Sequence, residues 1–474
     1  MPAGGGFEFG PFVLDTGERR LRRDDVPVDL SALQYALLLE LVSNPDKPVS
    51  KNRLIEAAWK GDAVGDSSIE KLTFQLRMRL DPDARYRYIE TVHRQGYKFI
   101  VPVKTIVPDV YARIAPLRAW TEGRAALETL VGDRLPEAQR TFQELVRTHP
   151  NEALFHVGLA NTYLLQFETT RAGVAPNVEA RRLAIFHAHE ACRVGPNLIE
   201  AIATLGFVLG TLGDREKGLA ALNTAVIEEP DRWLHLFRLA AIAWGEERLY
   251  AARRTLGQFA HFPMAHVLVA TVLIARGLLA EAERELDEAV KVLTGRANKP
   301  SRFSAVAVYW LKGLLCLARG ADDEAMEAFR CELALESLGH LYARECCGNT
   351  WYAIGAMHLR RGDTTAALTA FQECLTRVPR HPQAHAGLAI LGQAVADIPT
   401  EIDQEVSVDI AMARAAVLAV RGDHATAARA VLPALENATK GNAGWLIPID
   451  PLLAVYTAPD AWAIVRQELC ERAS

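Results

Sequence analysis

The feature that most constrains this chain is a glycine followed five residues later by a small residue, recurring just after apolar helical stretches. It occurs at Gly277/Ala282, Gly320/Ala325, Gly362/Ala367 and Gly422/Ala427, with Gly213/Gly218 in the same rhythm and Gly132/Ala138 one residue longer. Prolines keep a related beat: Pro196 to Pro230 is 34 residues, Pro230 to Pro263 is 33, and Pro150 to Pro196 is 46, one period plus an insertion of 12. In several copies an aspartate follows the glycine, at Asp133, Asp214, Asp363 and Asp423. Glycine closes one helix in the left-handed conformation, and Asp caps the next by accepting a backbone N–H bond. The small residue lets the two helices approach closely. Helix pairs of this kind cannot bury their apolar faces alone, so they are expected to stack into a superhelix with a concave face.

The pattern resembles the tetratricopeptide repeat. Window 348–381 carries Trp351, Ile354, Gly355, Ala367, Phe371 and Pro379 in register; window 199–232 supplies Leu205, Gly206, Leu222, Ala225 and Pro230. Window 119–152 adds Ala138, Phe142 and Pro150, and window 306–339 adds Gly313, Ala325 and Phe329. These residues read as core packing. The resemblance covers roughly 119–395 and implies a peptide- or ligand-binding groove lined from the first helices, with Asn161, Phe207, Asn349 and Tyr352 as candidates for partner contact. Val157, Ala203 and Tyr352 stand where some repeat proteins place basic residues to clamp a peptide carboxylate, so that mode of binding is not expected.

At 474 residues, half of them hydrophobic and 23% charged, the chain is long enough for more than one packed unit and too apolar to be mainly disordered. Seven cysteines, with no CxxC, read as buried thiols in a reducing compartment and not as a disulfide framework, with one of Cys346 and Cys347 buried and the other partly exposed. Thr255–Ala275 is 21 residues without Lys, Arg, Asp or Glu. It contains Gln258, His261, Pro263 and His266, and is read as the end of one helix and the start of the next, with no membrane span. No secretory signal is read at the start of the chain, and a cytoplasmic location is expected.

Charge and texture separate two regions. Residues 1–104 carry 16 Lys+Arg and 15 Asp+Glu, whereas the remainder carries 37 and 43. Any nucleic-acid binding must therefore come from a local patch on an acidic molecule. The expected organisation is an α+β unit at 1–104, a turn-prone linker at 105–118 with Pro108 and Pro116, an all-α solenoid at 119–398, and degenerate repeat or capping helices at 399–474. The fold class is thus mainly α.

In the first region, Phe7–Leu14 alternates as a strand and Leu21–Leu30 reads as a hairpin. Ser31 caps a helix bearing Leu33, Leu37, Leu38 and Leu41; Ser50 opens a second with Leu54, Ile55 and Ala58. Residues 60–66 read as a loop. A third helix starts at Ser67 or Ser68 and ends near Leu80. Tyr88–Val92 and Tyr97–Val101 are strands joined by His93-Arg94-Gln95-Gly96. Three helices and a β-hairpin make a winged helix. On the third helix Ile69, Thr73, Leu76 and Leu80 form an inward stripe, while Glu70, Lys71, Phe74, Gln75 and Met78 face outward, flanked by Arg77 and Arg79. A major groove about 12 Å wide accepts such a helix. Gln75 suits adenine, Lys71 guanine, and Arg77 and Arg79 phosphates. His93, Arg94 and Lys98 in the wing suit a minor groove or a neighbouring phosphate.

The run Ser68-Ile69-x-Lys71 through Leu76-Arg77, and the segment Tyr88-Ile-Glu-Thr-Val-His-Arg-Gln-Gly-Tyr-Lys-Phe99, resemble the winged-helix output domain of the OmpR/PhoB family over residues 7–103. That resemblance implies double-stranded promoter DNA as partner, with further contacts from Trp59, Lys60, Ser67 and Ser68. Thr73 departs from the family's larger aliphatic residue, and Phe74 and Met78 stand where polar or basic residues are common. The order winged helix then repeats is similar to the HilA-like and CadC-like one-component regulators, with repeats in the sensor position. No receiver domain is read before Phe7.

No catalytic constellation is present. Gly4-Gly5-Gly6 lacks a following GxxxxGK[ST]. His187, His189 and Cys192 point to different sides of a helix, and Pro382 separates His381 from His385, so no metal site and no cofactor is expected. The resulting expectation is a non-enzymatic, sequence-specific transcriptional regulator. Its repeats sense a protein, peptide or small-molecule signal, contact RNA polymerase or another protein, or self-associate on DNA. The alternative is a repeat scaffold whose winged helix does not bind DNA.

Overall fold

The computed structural model describes residues 5–24, 26–59, 66–81, 87–106, 109–295, 303, 305–393 and 407–474. The chain divides into two compact units, Met1–Ala119 and Trp120–Ser474.

Alternation at the start of the first unit makes two strands where one was expected. β1 (Gly6–Phe9) and β2 (Phe12–Asp15) form a hairpin that turns at Gly10, whose φ of 54° is left-handed. The meander continues through β3 (Arg20–Arg23) and β4 (Val26–Val28). α1 (Ala32–Val42) opens with a reciprocal cap: the Gln34 N–H donates to Ser31 Oγ at 3.2 Å, and the Ser31 N–H to Gln34 Oε1 at 2.9 Å. β5 (Pro48–Val49) precedes α2 (Lys51–Trp59), whose first turn is capped by Ser50 Oγ, accepting from the Arg53 N–H at 3.3 Å. α3 (Asp66–Leu80), β6 (Ile89–Val92) and β7 (Gly96–Phe99) complete the winged helix.

Two short strands were not legible beforehand. β5 joins the wing, giving the order β5-β7-β6, and β8 (Lys104–Ile106) pairs with β1 to extend the first sheet to β4-β3-β2-β1-β8. The wing depends on Gly96, at φ 121°, because a Cβ there would lie 2.1 Å from the Val49 carbonyl oxygen. The linker expected at 105–118 is absent in that form: residues 105–106 lie in β8, and α4 (Asp109–Glu128) carries Pro116 inside it. The backbone there continues as ladder and helix because each satisfies the main-chain groups that an open turn would leave bare.

The second unit is an all-helical, tetratricopeptide-like solenoid. After α4 come α5 (Leu135–Thr148), α6 (Ala153–Glu168), α7 (Val178–Val194), α8 (Ile199–Thr211) and α9 (Arg215–Glu228). α10 (Trp233–Ile242), α11 (Gly245–Gln258), α12 (Pro263–Ala275), α13 (Leu279–Leu293), α14 (Val308–Ala318) and α15 (Asp322–Ala334) follow. Then come α16 (Ala343–Arg360), α17 (Thr364–Arg377), α18 (Pro382–Ile390), α19 (Val408–Val420), α20 (His424–Asn437) and α21 (Ala463–Arg472). The charge-free stretch 255–275 ends α11 and starts α12; among the described residues no helix is long and apolar enough to cross a membrane.

The repeat grammar works as packing. Gly213, Gly277, Gly320, Gly362 and Gly422 all have positive φ. Asp214, Asp363 and Asp423 each cap the next helix through the backbone N–H three residues on. Asp133 departs from this, lying in a short 3-10 turn at Gly132–Arg134. Ala138, Ala282, Ala325, Ala367 and Ala427 are fully buried. The large residue of each unit presses on glycines of neighbouring helices: Phe142 on Gly123 and Gly158, Phe329 on Gly313, and Phe371 on Gly355 and Gly387. Added Cβ atoms would lie 2.2–2.8 Å from those rings.

After the α19–α20 pair the chain does not add another regular repeat. Residues 438–474 return in turns and α21 against α20 and the first helices α12 and α14, and reach α16 through Asp450. Trp462 is fully buried, Arg276 Nε donates to the Ala473 carbonyl at 2.9 Å, and Tyr352 Oη donates to Asp450 Oδ2 at 2.9 Å. Cys346 and Cys347 are both buried, a correction to the expectation that one is partly exposed, because α16 is covered by α15 and α17; Cys331 and Cys470, expected to be buried, are exposed on the outer sides of α15 and α21.

Phe371→Ala leaves a cavity facing two glycines that cannot fill it, so the helical unit is expected to lose about 3–5 kcal/mol in denaturant unfolding; a loss below about 1 kcal/mol contradicts this packing. His187 is buried, stacks on Tyr163 at 5.7 Å and pairs its Nδ1 with His156 Nδ1 at 3.0 Å. Burial pushes its pKa down to about 4. The unfolded chain then binds a proton that the folded chain refuses, so His187 costs stability as pH falls from about 6.5 towards 4. Relative to His187→Gln, the unaltered protein is expected to show the steeper loss over that window, measured by unfolding at fixed pH values.

Candidate nucleic-acid interface and repeat-unit cavity

α3 is divided lengthwise by burial. Ile69, Leu72, Thr73, Leu76 and Leu80 face the core formed with Leu37, Leu38, Leu41, Leu54 and Phe99. Thr73 sits inside that stripe because its hydroxyl donates to the Ile69 carbonyl at 2.7 Å, leaving no unpaired polar group. The opposite face exposes Ser67, Glu70, Lys71, Phe74, Gln75, Met78 and Arg79, while Ser68 is half-buried. Phe74 and Met78 are 52% and 36% exposed, an apolar strip along a helix otherwise suited to a groove.

Several cations expected on that surface are engaged within the unit. Arg77 Nε donates to the Ile89 carbonyl at 3.0 Å and its Nη2 to Thr91 Oγ1 at 2.9 Å, with the guanidinium 5.6 Å from the Tyr97 ring centre. It clamps α3 to the wing. Lys98 pairs with Asp46 at 2.6 Å, an interaction that raises its pKa, and so holds the wing base to the α1–β5 turn. Glu70 pairs with Lys51 of α2 at 2.7 Å. Trp59 is half-buried against the core. Lys60 lies outside the described residues.

Lys71 and Arg79 on α3, with His93 and Arg94 at the wing tip, are exposed and make no hydrogen bond or ion pair with the described residues. Arg94 adopts φ 61°, a conformation uncommon outside glycine, which Gly96 and the Gln95 N–H bond to the Val92 carbonyl at 3.0 Å hold in place. Among the described residues, the helix face and the wing tip both carry exposed cations on the candidate interface.

In the second unit, a cavity of about 580 Å³ opens along the first helices α4, α6, α8, α10 and α12. Asn161 and Phe207 line it. Tyr352 does not: it is 5% exposed, sealed by Asp450 of the returning segment, and burial drives its pKa well above the usual value. Asn349, half-buried on the same helix, is outside the lining as well. The cavity does contain cations, Arg124, Arg171, Arg215, Arg238 and Arg248, at positions other than Val157, Ala203 and Tyr352. Their signal was invisible because they come from five different helices or turns.

Among the described residues, no group of three or more His, Cys, Asp or Glu is placed to hold a metal. His187 is committed to His156, and His381 caps α18 by accepting from the Ala384 N–H at 3.2 Å.

This arrangement defines a winged-helix domain of the OmpR/PhoB type: residues 25–99 match the family described as "Transcriptional regulatory protein, C terminal". The transcriptional regulator HilA of Salmonella typhi is 35% identical over 102 residues, 22% of this chain and 18% of that protein. The two-component response regulator PhoP of Pseudomonas aeruginosa is 36% identical over 93 residues, 19% of this chain and 41% of that one. The chain therefore matches less than a fifth of the length of HilA. Among solved structures, the DNA-binding domain of E. coli CadC is 23% identical, covering 22% of this chain and 97% of that one, with a TM-score of 0.20. Human IFIT1 with m7Gppp-AAAA is 11% identical over 86% of this chain and 96% of that one, with a TM-score of 0.47.

Arg77→Ala is expected to loosen the wing, accelerating amide exchange at Ile89–Phe99 by about tenfold or more, since it removes two hydrogen bonds. Lys71→Ala is expected to leave exchange there unchanged. Equal behaviour of the two variants contradicts the clamp.

Proposed function

We propose that the protein is a sequence-specific regulator of transcription that inserts α3 into the major groove of promoter DNA, with the wing tip on a neighbouring phosphate or minor groove. The observation that carries this reading is the lengthwise division of α3: one face is wholly buried, and the other carries Lys71, Gln75 and Arg79 to solvent. Gln75 is suited to the N6 and N7 edge of adenine, Lys71 to guanine, and Arg79 to phosphate. With few free cations, each copy gains limited electrostatic affinity, which favours binding by neighbouring copies on adjacent sites. In this reading the repeat unit acts in the cytoplasm as the receiver of a protein, peptide or small-molecule signal, or as the contact to RNA polymerase.

A second reading, a winged helix that docks a protein, is supported by the exposed Phe74 and Met78. Selection of bound fragments from a random-sequence DNA pool separates the two. The first reading expects one enriched motif, a several-fold or greater loss of affinity in Lys71→Ala plus Arg79→Ala, and relaxed choice at one base pair in Gln75→Ala. No enriched motif, with binding indifferent to these changes, favours the docking module.

A further inference from the structure

The repeat-unit cavity holds positive charge that its own acids do not cancel. Five arginines and three glutamates line it. Arg124 faces Glu128 at 3.6 Å, Arg171 faces Glu168 at 3.2 Å, and Arg238 faces Glu200 at 2.9 Å. Arg215 and Arg248 have no carboxylate within ion-pair distance among the described residues; both turn to the last carbonyls of α10. Arg215 Nε donates to the Ile242 carbonyl at 3.0 Å and Nη1 to the Lys440 carbonyl, leaving Nη2 without a partner among the described residues. Arg248 donates to the carbonyls of Ala240, Ala241 and Ala243 at 2.8–3.1 Å and to Thr271 Oγ1 at 2.9 Å.

A helix C-terminus supplies only about half an elementary negative charge, against two guanidinium groups. Arg248 is 6% exposed, and burial together with the nearby Arg215 draws its pKa down to about 9, so it is still charged at neutral pH in a position that penalises charge. Beside it Trp244 lies 4.7 Å from the guanidinium, ring centre to carbon, and its buried indole N–H has no hydrogen-bond partner among the described residues. One end of the cavity is therefore a donor-rich pocket short of negative charge.

The other end is aromatic. Phe262 packs on Trp233 at 5.3 Å, Phe237 at 4.8 Å and Phe303 at 5.2 Å, and all four rings line the same cavity. Trp233 begins α10 and Ile242 ends it, so the two ends are separated by roughly 13 Å of helix. A cavity of about 580 Å³ lies within the usual range for small-molecule sites.

We propose that this cavity binds a small organic anion, its acid group held by Arg215, Arg248 and the Trp244 N–H and its ring or hydrocarbon body laid along Phe237 and Phe262. The inference names the ligand class for the repeat unit and rests on the signal-receiving reading only for its regulatory consequence.

The test titrates the full chain, without DNA, with 1-anilinonaphthalene-8-sulfonate and with the uncharged N-phenyl-1-naphthylamine, following fluorescence. The anionic dye is expected to saturate at one per chain and bind about tenfold tighter than the neutral one. Arg215→Gln is expected to remove that preference while helical circular dichroism and affinity for the neutral dye stay the same. On the unaltered chain, benzoate is expected to displace the anionic dye and benzyl alcohol to leave it bound, which keeps the test valid should the variant misfold. Equal affinity for the two dyes, or displacement by both competitors alike, overturns the proposal. A chain that prefers the anionic dye but selects no DNA motif defeats the regulatory reading alone; one that selects DNA but shows no charge preference defeats this inference alone.

Discussion

A helix pair covers one apolar face with its own partner and leaves the other bare; that unsatisfied face organises most of this chain. The repeat solution is a large ring on one helix seated against glycines of the helices beside it, as Phe371 does between Gly355 and Gly387. Backbones then come close enough for dispersion contacts to accumulate, and each unit is stable only because its neighbour is there. The same logic governs the end of the array. Past α20 the chain folds back and buries Trp462, Ile449 and Leu453 against exposed first helices, so the last bare face is covered from within.

That return has a consequence for the concave side. It covers the part of the groove around α14 and α16 and one side of α12, and leaves open the part lined by α4, α6, α8, α10 and the start of α12. The Tyr352–Asp450 contact is a marker of the closed part: burial lifts the Asp450 pKa to about 6 even as backbone N–H groups of Leu452 and Leu453 oppose the rise. In the winged helix the comparable economy is electrostatic. Arg77, Lys98 and Lys51 are drawn into internal bonds that fix the relation of α3, α2 and the wing, which orients a small number of free groups at the cost of charge available to phosphates.

Much of the architecture was legible because it rests on local chemistry. The capping box at Ser31, the left-handed glycines, the Asp caps and the inward stripe of α3 each need only residues a few positions apart. Most of the misreadings share the opposite property, the hairpin turn at Gly10 and the 3-10 turn at Asp133 being local exceptions. β5 and β8 are two and three residues long and exist only through partners distant in sequence. The burial of Tyr352 depends on Asp450, 98 residues away, and the Arg215–Arg248 pair on a cavity assembled from five repeats. Arg77 illustrates the limit within a single helix: its spacing places it at the edge of the outward face, and only the position of Thr91 shows that it points to the wing.

In the proposed function, α3 presents its exposed face to duplex DNA and reads it. The most direct measurement is protection of specific bases in cells, by genome-wide footprinting of the tagged full chain. Discrete protected sites in promoter regions, arranged as neighbouring copies of one short motif, are the expected result. Occupancy spread without sequence preference, or no occupancy above background, would contradict it.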